Sequence, residues 1–195
     1  MAPSSSEKTK RRQLLDLIRR LAFKSSPTAI FPLVSGAKSK YYIDCKKALS
    51  HAEVRQLIGS AIMEQDWLDD IDAVGGLELG AYPVAIAISD ALHCHKDKNV
   101  RVFVVRKKPK GHGLKKWVEG DVRAGDRVLI VDDVVTSGQS TLKAIRRSLE
   151  EDLQVIGTLA VIDREEGARA NFDKAGVRFE SLLTLKDLAE AAPKR

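Results

Sequence analysis

The chain has 195 residues, of which 44% are hydrophobic and 31% charged. That balance is ordinary for a globular domain and excludes a fibrous or wholly disordered chain. No apolar run reaches the roughly 18 residues that a bilayer crossing requires. The net charge of +6 admits nucleic acid, a membrane surface or a small anionic substrate, and only the placement of the cations can separate these.

Residues 1–12 are polar, and no apolar stretch accompanies Lys8, Lys10, Arg11 and Arg12. They read as a disordered tail without a signal peptide, which favours a cytoplasmic protein. The remaining 13–195 read as one domain, with a helix and a small hood over about 13–49 and a core over about 50–195. Leu14, Leu15, Leu17, Ile18, Leu21 and Ala22 recur at helical period, and Ser25-Ser26-Pro27 should end that helix. Tyr41-Tyr42-Ile43 predicts a short strand. Ser50 with Glu53 has the capping-box spacing, ahead of a helical stripe from Val54 to Ile62. Asp72–Val74 predicts a strand that ends in Gly75-Gly76. A helix with Pro83 in its first turn follows over Tyr82–Leu92. His93-Cys94-His95 and Asp97 lack zinc-ligand spacing and read as the polar end of this helix. Cys45 and Cys94 are too few for a disulfide framework.

Val100–Val105 is a β-branched strand. Arg106–Asp126 then holds four glycines and one proline, and predicts a loop of about twenty residues, a length that is usually functional or disordered. Strand Arg127–Val131, helix Ser140–Glu151, strand Val155–Ile162, helix Glu165–Ala175, strand Val177–Leu183 and a short helix from Lys186 follow. This alternation predicts an α/β fold with a mostly parallel central sheet flanked by helices.

The most informative stretch is Val131-Asp132-Asp133-Val134-Val135-Thr136-Ser137-Gly138-Gln139-Ser140. A buried strand runs into two acids, then into a small hydroxyl-rich turn that opens a helix. A helix N-terminus offers unpaired N–H groups to a phosphate, and Gly138 lets the backbone come close. Two carboxylates repel a bare phosphate but accept hydrogen bonds from hydroxyls. The site therefore suits a ribose 5-phosphate, with the plain alternative of acids capping a neighbouring turn. No Walker A string occurs.

This stretch resembles the phosphoribosyl-diphosphate motif of type I phosphoribosyltransferases. Arg106-Lys107-Lys108-Pro109-Lys110-Gly111-His112-Gly113, followed by Glu119-Gly120, resembles the mobile catalytic loop of the orotate phosphoribosyltransferases, in which Arg106, Lys107, Lys110 and His112 match position by position. Phe31–Asp44 is similar to that family's N-terminal segment, and Asp163-Arg164-Glu165-Glu166-Gly167 to its Asp-Arg-x-x-Gly segment. Gly75–Ala81 resembles the diphosphate-contacting loop. One departure is Val34, where some members carry a Lys that contacts diphosphate.

The resemblance implies transfer of 5-phosphoribosyl from its diphosphate donor to orotate, giving orotidine 5′-monophosphate in pyrimidine nucleotide (UMP) biosynthesis. It implies donor binding by Arg106, Lys107, Lys110, His112, Asp132, Asp133, Val134, Val135, Thr136, Ser137, Gly138, Gln139 and Ser140. Lys110, His112, Asp132 and Asp133 would be catalytic, and Thr136 and Arg164 would face orotate. Arg164 has an alternative partner in the adjacent Glu pair. Mg2+ would be held mainly by the substrate rather than by a protein site. A homodimer sharing the loop across subunits is implied, with neither nucleic acid nor membrane as partner. The rival readings are a phosphoribosyltransferase for another base and a donor-sensing regulator that binds nucleic acid.

Overall fold

A computed structural model describes residues 5–32, 38–63, 65–68, 70–108 and 117–190. Its centre is a six-stranded sheet whose strands form where β-branched and aliphatic residues run together. These are β5 (Ala73–Leu77), β6 (Arg101–Val105), β7 (Val118–Gly120), β8 (Arg127–Val135), β9 (Gln154–Asp163) and β10 (Phe179–Thr184). The spatial order is β10-β9-β8-β5-β6-β7. All pairs are parallel except β6 with β7.

Helices α4 (Ala81–Lys96), α5 (Gln139–Leu149) and α6 (Ala168–Lys174) connect the parallel strands, and α7 (Leu185–Glu190) follows β10. Strand residues alternate between two apolar layers, as the pleat requires. Val74, Leu129, Val131, Leu159 and Val161 pack with α4, α3 (Ala52–Ile62) and α1 (Ser5–Ala22). Ala73, Val128, Ile130 and Ala160 pack with α5 and α6 on the other face. Between α1 and α3 lie two small antiparallel pairs and helix α2 (Cys45–Leu49): β1 (Phe23–Ser25) with β4 (Tyr41–Ile43), and β2 (Phe31–Pro32) with β3 (Lys38–Ser39). Phe23 stacks on Tyr41, and Phe31 on Tyr42, each at 5.7 Å between centroids.

Several expectations are corrected. Residues 5–12, expected within the tail, belong to α1. Their Lys and Arg residues favour helix without an apolar stripe, and Arg11 pairs with Asp187 at 2.7 Å and donates to the Leu182 carbonyl. The capping box does not form. Ser50 instead donates to the Lys47 carbonyl at the end of α2, and His51 stands at the N-cap of α3 without a side-chain bond. The first helix stops at Ala22, and its successor is β1 rather than a loop. The expected loop Arg106–Asp126 contains β7, which closes one edge of the sheet. Strand β8 continues through both acids to Val135, since β9 pairs with it that far. Helix α6 starts at Ala168 rather than Glu165, because Glu165 (φ 58°) and Gly167 (φ 99°) are left-handed. The His93-Cys94-His95 run does fall in the last turn of α4, with Asp97 as its left-handed C-cap.

Strand β5 runs through Gly75-Gly76 instead of ending there. A Cβ on Gly76 would lie 2.1 Å from the Val131 carbonyl oxygen and 2.7 Å from the Ala81 Cβ. One on Gly75 would lie 2.3 Å from the Phe103 carbonyl. The glycines are there for interstrand closeness, and they bring α4 down onto the sheet. Backbone atoms on the central strands cannot give way cheaply, so Gly76→Ala should destabilise the fold by about 1–3 kcal/mol, as other overpacked cores are destabilised. A fall in the urea midpoint at unchanged slope would show this.

Candidate active site

The β5–β8 pair is where the strand order reverses: β6 is added on one side of β5, and β8 and then β9 on the other. In open α/β sheets, ligands bind outside the carboxyl ends of the strands at such a point. Here β5 pairs with β8 only as far as Gly75–Ile130. The β5–β6 ladder runs on to Leu77–Val105, and the β8–β9 ladder to Val135–Asp163. The turns that leave β5, β6, β8 and β9 therefore meet at one end of the sheet.

Asp132 and Asp133 are both 8% exposed. Strand alternation sends them to opposite faces. Asp132 accepts from the Thr141 hydroxyl on α5 at 2.9 Å and from the Asp133 N–H at 3.0 Å. Asp133 accepts from the Val134 N–H at 2.9 Å and lies 3.9 Å from the Lys46 ammonium of α2. The turn after β5 lies close on Asp133, for a Cβ on Gly80 would stand 2.2 Å from its Oδ1. The Glu78–Leu79 peptide in that turn is cis. Burial, and then the negative charge of Asp133, push the Asp132 carboxyl up to about 7, against the donors from Thr141 and Asp133. Burial also pushes the nearby Cys45 thiol up, so it stays a neutral core group.

Beyond Val135 the chain bends through Thr136, Ser137 and Gly138 into α5. Gly138 caps the helix at φ 76°, a conformation that favours glycine. A Cβ there would also meet the Phe172 ring at 2.7 Å. Asn171 donates to the Ser137 carbonyl at 2.8 Å, which fixes the bend. Thr136, Gln139 and Ser140 are exposed at the N-terminus of α5. The result is a rigid turn with accessible hydroxyls at the positive end of a helix, suited to an anion.

Arg164 follows β9 and donates its N–H to the Val135 carbonyl at 2.9 Å. Its side chain is 7% exposed. The alternative partner weighed from the sequence is present: Arg164 Nε and one Nη both lie 2.8 Å from Glu166 Oε1. The guanidinium also donates to the Ser39 hydroxyl of β3 at 3.3 Å. Arg106 and Lys107 leave β6 at the same end. Arg106 pairs with Glu119 at 3.2 Å, and the Lys107 N–H donates to Glu78 at 2.8 Å. Lys110, His112 and Val34 lie outside the described residues. Sequence reasoning missed Ser39, Lys46, Glu78 and Thr141. Ser39 and Glu78 lie within the Phe31–Asp44 and Gly75–Ala81 segments already singled out, and Thr141 just past the hydroxyl-rich turn, but their partners, like that of Lys46, are set by the tertiary fold.

Comparison with known proteins identifies the family. Residues 46–179 match the phosphoribosyl transferase domain model. The orotate phosphoribosyltransferase of Aquifex aeolicus is 45% identical over 179 residues, which span 91% of this chain and 97% of that protein. The enzyme of the same name from Corynebacterium glutamicum is 40% identical over 190 residues, spanning 96% of this chain and 98% of its own. The crystal structure of Mycobacterium tuberculosis H37Rv orotate phosphoribosyltransferase in complex with 5-phospho-α-D-ribosyl 1-diphosphate superposes with a TM-score of 0.74 at 36% identity, covering 92% of this chain and 99% of that one. The chain belongs to the phosphoribosyltransferase family, among its orotate phosphoribosyltransferases.

The raised Asp132 carboxyl has a measurable consequence. An unfolded aspartate loses its proton near ~4, whereas the folded chain holds this one up to about 7. Between those values the folded state binds the extra proton, so stability falls as pH rises through this window and the loss is complete above it. Asp132→Asn removes the titration while keeping an acceptor for Thr141. The urea midpoint of the parent should fall from pH 5 to pH 8 more steeply than that of the variant. Equal slopes would mean that Asp132 does not titrate in this window.

Proposed function

We propose that this protein transfers the 5-phosphoribosyl group of 5-phosphoribosyl 1-diphosphate to N1 of orotate, giving orotidine 5′-monophosphate and diphosphate, a step of pyrimidine nucleotide (UMP) biosynthesis in the cytoplasm. The observation that carries this reading is the sequence of groups at the end of β8. Two buried carboxylates stand next to a glycine-capped helix N-terminus, at the point where the strand order reverses.

In this reading the exposed turn Thr136–Ser140 takes the 5-phosphate through its N–H and hydroxyl groups. Asp132 and Asp133 accept hydrogen bonds from the ribose hydroxyls, and Val134 and Val135 set the backbone between the two subsites. Arg164, with Thr136 beside it, meets the orotate carboxylate, for which a planar guanidinium is suited. The bond from the anomeric carbon to the diphosphate oxygen breaks, its electron pair leaving with diphosphate, and N1 of orotate forms the new bond as its N–H proton passes to solvent. Arg106, Lys107 and Lys110 stabilise the charge that gathers on the leaving group. His112 donates a hydrogen bond or proton to the departing oxygen. Magnesium would be held mainly by the donor itself rather than by the protein, and would supply neutralisation of the charge on the leaving group. The hard carboxylate oxygens of Asp132 and Asp133 at the ribose end suit that ion. The active unit is a homodimer in which the segment carrying Lys110 and His112 serves the neighbouring subunit.

The direct test is loss of orotate absorbance with the donor and magnesium, with hypoxanthine, adenine and uracil run beside it for diphosphate release. Turnover with orotate alone is expected, and turnover only with another base would overturn the choice of acceptor. Arg164→Ala should abolish orotate use, by about a hundredfold or more in kcat/KM, because a buried carboxylate partner is lost. Retained orotate use would remove Arg164 from the base site. Lys110→Ala should lower kcat by about 10²–10³-fold, the loss typical of a group that stabilises transition-state charge. Its thermal midpoint should match the parent's, and an unchanged kcat would take Lys110 out of the mechanism.

A further inference from the structure

Helix α5 does more than present its N-terminus. Lys143 and Arg147 lie one turn apart on it, at the i, i+4 spacing that puts side chains on one face. Lys143 Nζ donates to the Lys107 carbonyl at 3.2 Å. The Arg147 guanidinium carbon stands 3.7 Å from the centroid of the Trp117 ring, and Lys143 Nζ stands 5.8 Å from the same ring. Glu150 holds Arg147 in place from the next turn at 2.5 Å. Lys107 and Trp117 are the near flanks, on either side, of the segment that carries Lys110 and His112. The flanks also join each other, the Arg106 N–H donating to the Trp117 carbonyl at 2.8 Å.

A surface tryptophan between two cations has a plain packing explanation. Two features go beyond it. Lys143 reaches the backbone of one flank while both cations meet the ring of the other, so one helix face engages both. The same helix opens on Gly138 and the exposed Ser140, where the proposed function puts the donor's phosphate. Charge stabilisation of a leaving group depends on placement to within about an ångström.

We propose that Lys143 and Arg147 are positioning residues for diphosphate expulsion. They tie Lys107 and Trp117 to the helix that binds the donor's phosphate, and so set the flanking cations in register with the bond that breaks. This inference rests on the proposed phosphoribosyl transfer.

The test uses the full chain. Arg147→Gln and Lys143→Gln should each lower kcat at least about tenfold, as misplacement of catalytic groups does. KM for orotate should stay within about twofold, the pattern of an interaction that matters in the transition state alone. Thermal midpoints should stay at the parent value. Arg147→Lys, which keeps the cation but loses the planar stack, should recover part of the rate. Trp117→Leu combined with Arg147→Gln should be no slower than the worse single variant, since both remove one contact. The chain has two tryptophans, so Trp67→Phe isolates Trp117 emission. Adding 5-phosphoribosyl 1-diphosphate should shift that emission, and Arg147→Gln should abolish the shift. Parent kcat in both glutamine variants, additive losses in the double variant, or an emission shift that survives Arg147→Gln would overturn the proposal. Absence of orotate turnover in the parent would instead overturn the acceptor, and the emission response to the donor would still decide the role of Arg147.

Discussion

Asp132 and Asp133 stand side by side on a central strand where water is largely excluded, and adjacent carboxylates repel most strongly in such a place. Much of the surrounding structure answers that problem. The pleat turns the two side chains to opposite faces. Thr141 and a backbone N–H serve one carboxylate, while Val134 and the Lys46 ammonium serve the other. Gly80 leaves room for Asp133 where any side chain would collide with it. These contacts are enough to keep the acids in place and too few to saturate them, since each carboxylate offers about four acceptor positions. A polyhydroxylated ligand that brings donors is the natural complement.

The sheet supplies the space. Where β5 and β8 cease to pair, each continues beside its other neighbour, and two helix-opening turns rise beside the same opening. Gly75 and Gly76 allow this because they let β5 lie against Phe103 and Val131 with no side chain between. Strand closeness below and an open crevice above thus have one cause. The turn that opens α5 needs a third glycine for a different reason: Gly138 is left-handed and also faces the Phe172 ring. Its position ties the α5 terminus to the core packing of α6.

Much of this was legible in the sequence where the signal is local. The apolar run Val128–Val131, the acid pair and the hydroxyl-rich turn specify strand, acids and helix start within about a dozen residues, and Arg164 follows an equally clear strand. The errors share one physical source, which is that a local pattern has more than one tertiary use. Gly75-Gly76 reads as a turn because glycine is permissive, yet here it is a packing residue inside a strand. Ser50 and Glu53 have the spacing of a capping box, but the end of α2 claims the Ser50 hydroxyl. Strand β7 has only three residues, too short for alternation to show, and it exists because β6 offers a free edge. Glu78, Ser39 and Lys143 act across 29, 125 and 36 residues of chain, a range at which no spacing rule operates.

The Arg164 contacts show how such distant partners shape a binding site. A buried guanidinium without an acceptor is costly, so the fold must provide one. Glu166 does so from two residues away, and Ser39 adds a hydroxyl from the hood. The guanidinium plane is therefore held by the protein's own groups, and such preorganisation lowers the entropy lost on binding. A neutral base would have to displace these contacts without replacing the carboxylate, leaving Arg164 poorly matched, whereas a carboxylated base offers it a charged acceptor in return. Under the proposed role of Arg164, its burial would discriminate against neutral bases as much as its charge, and the hood, through Ser39, would take part in it.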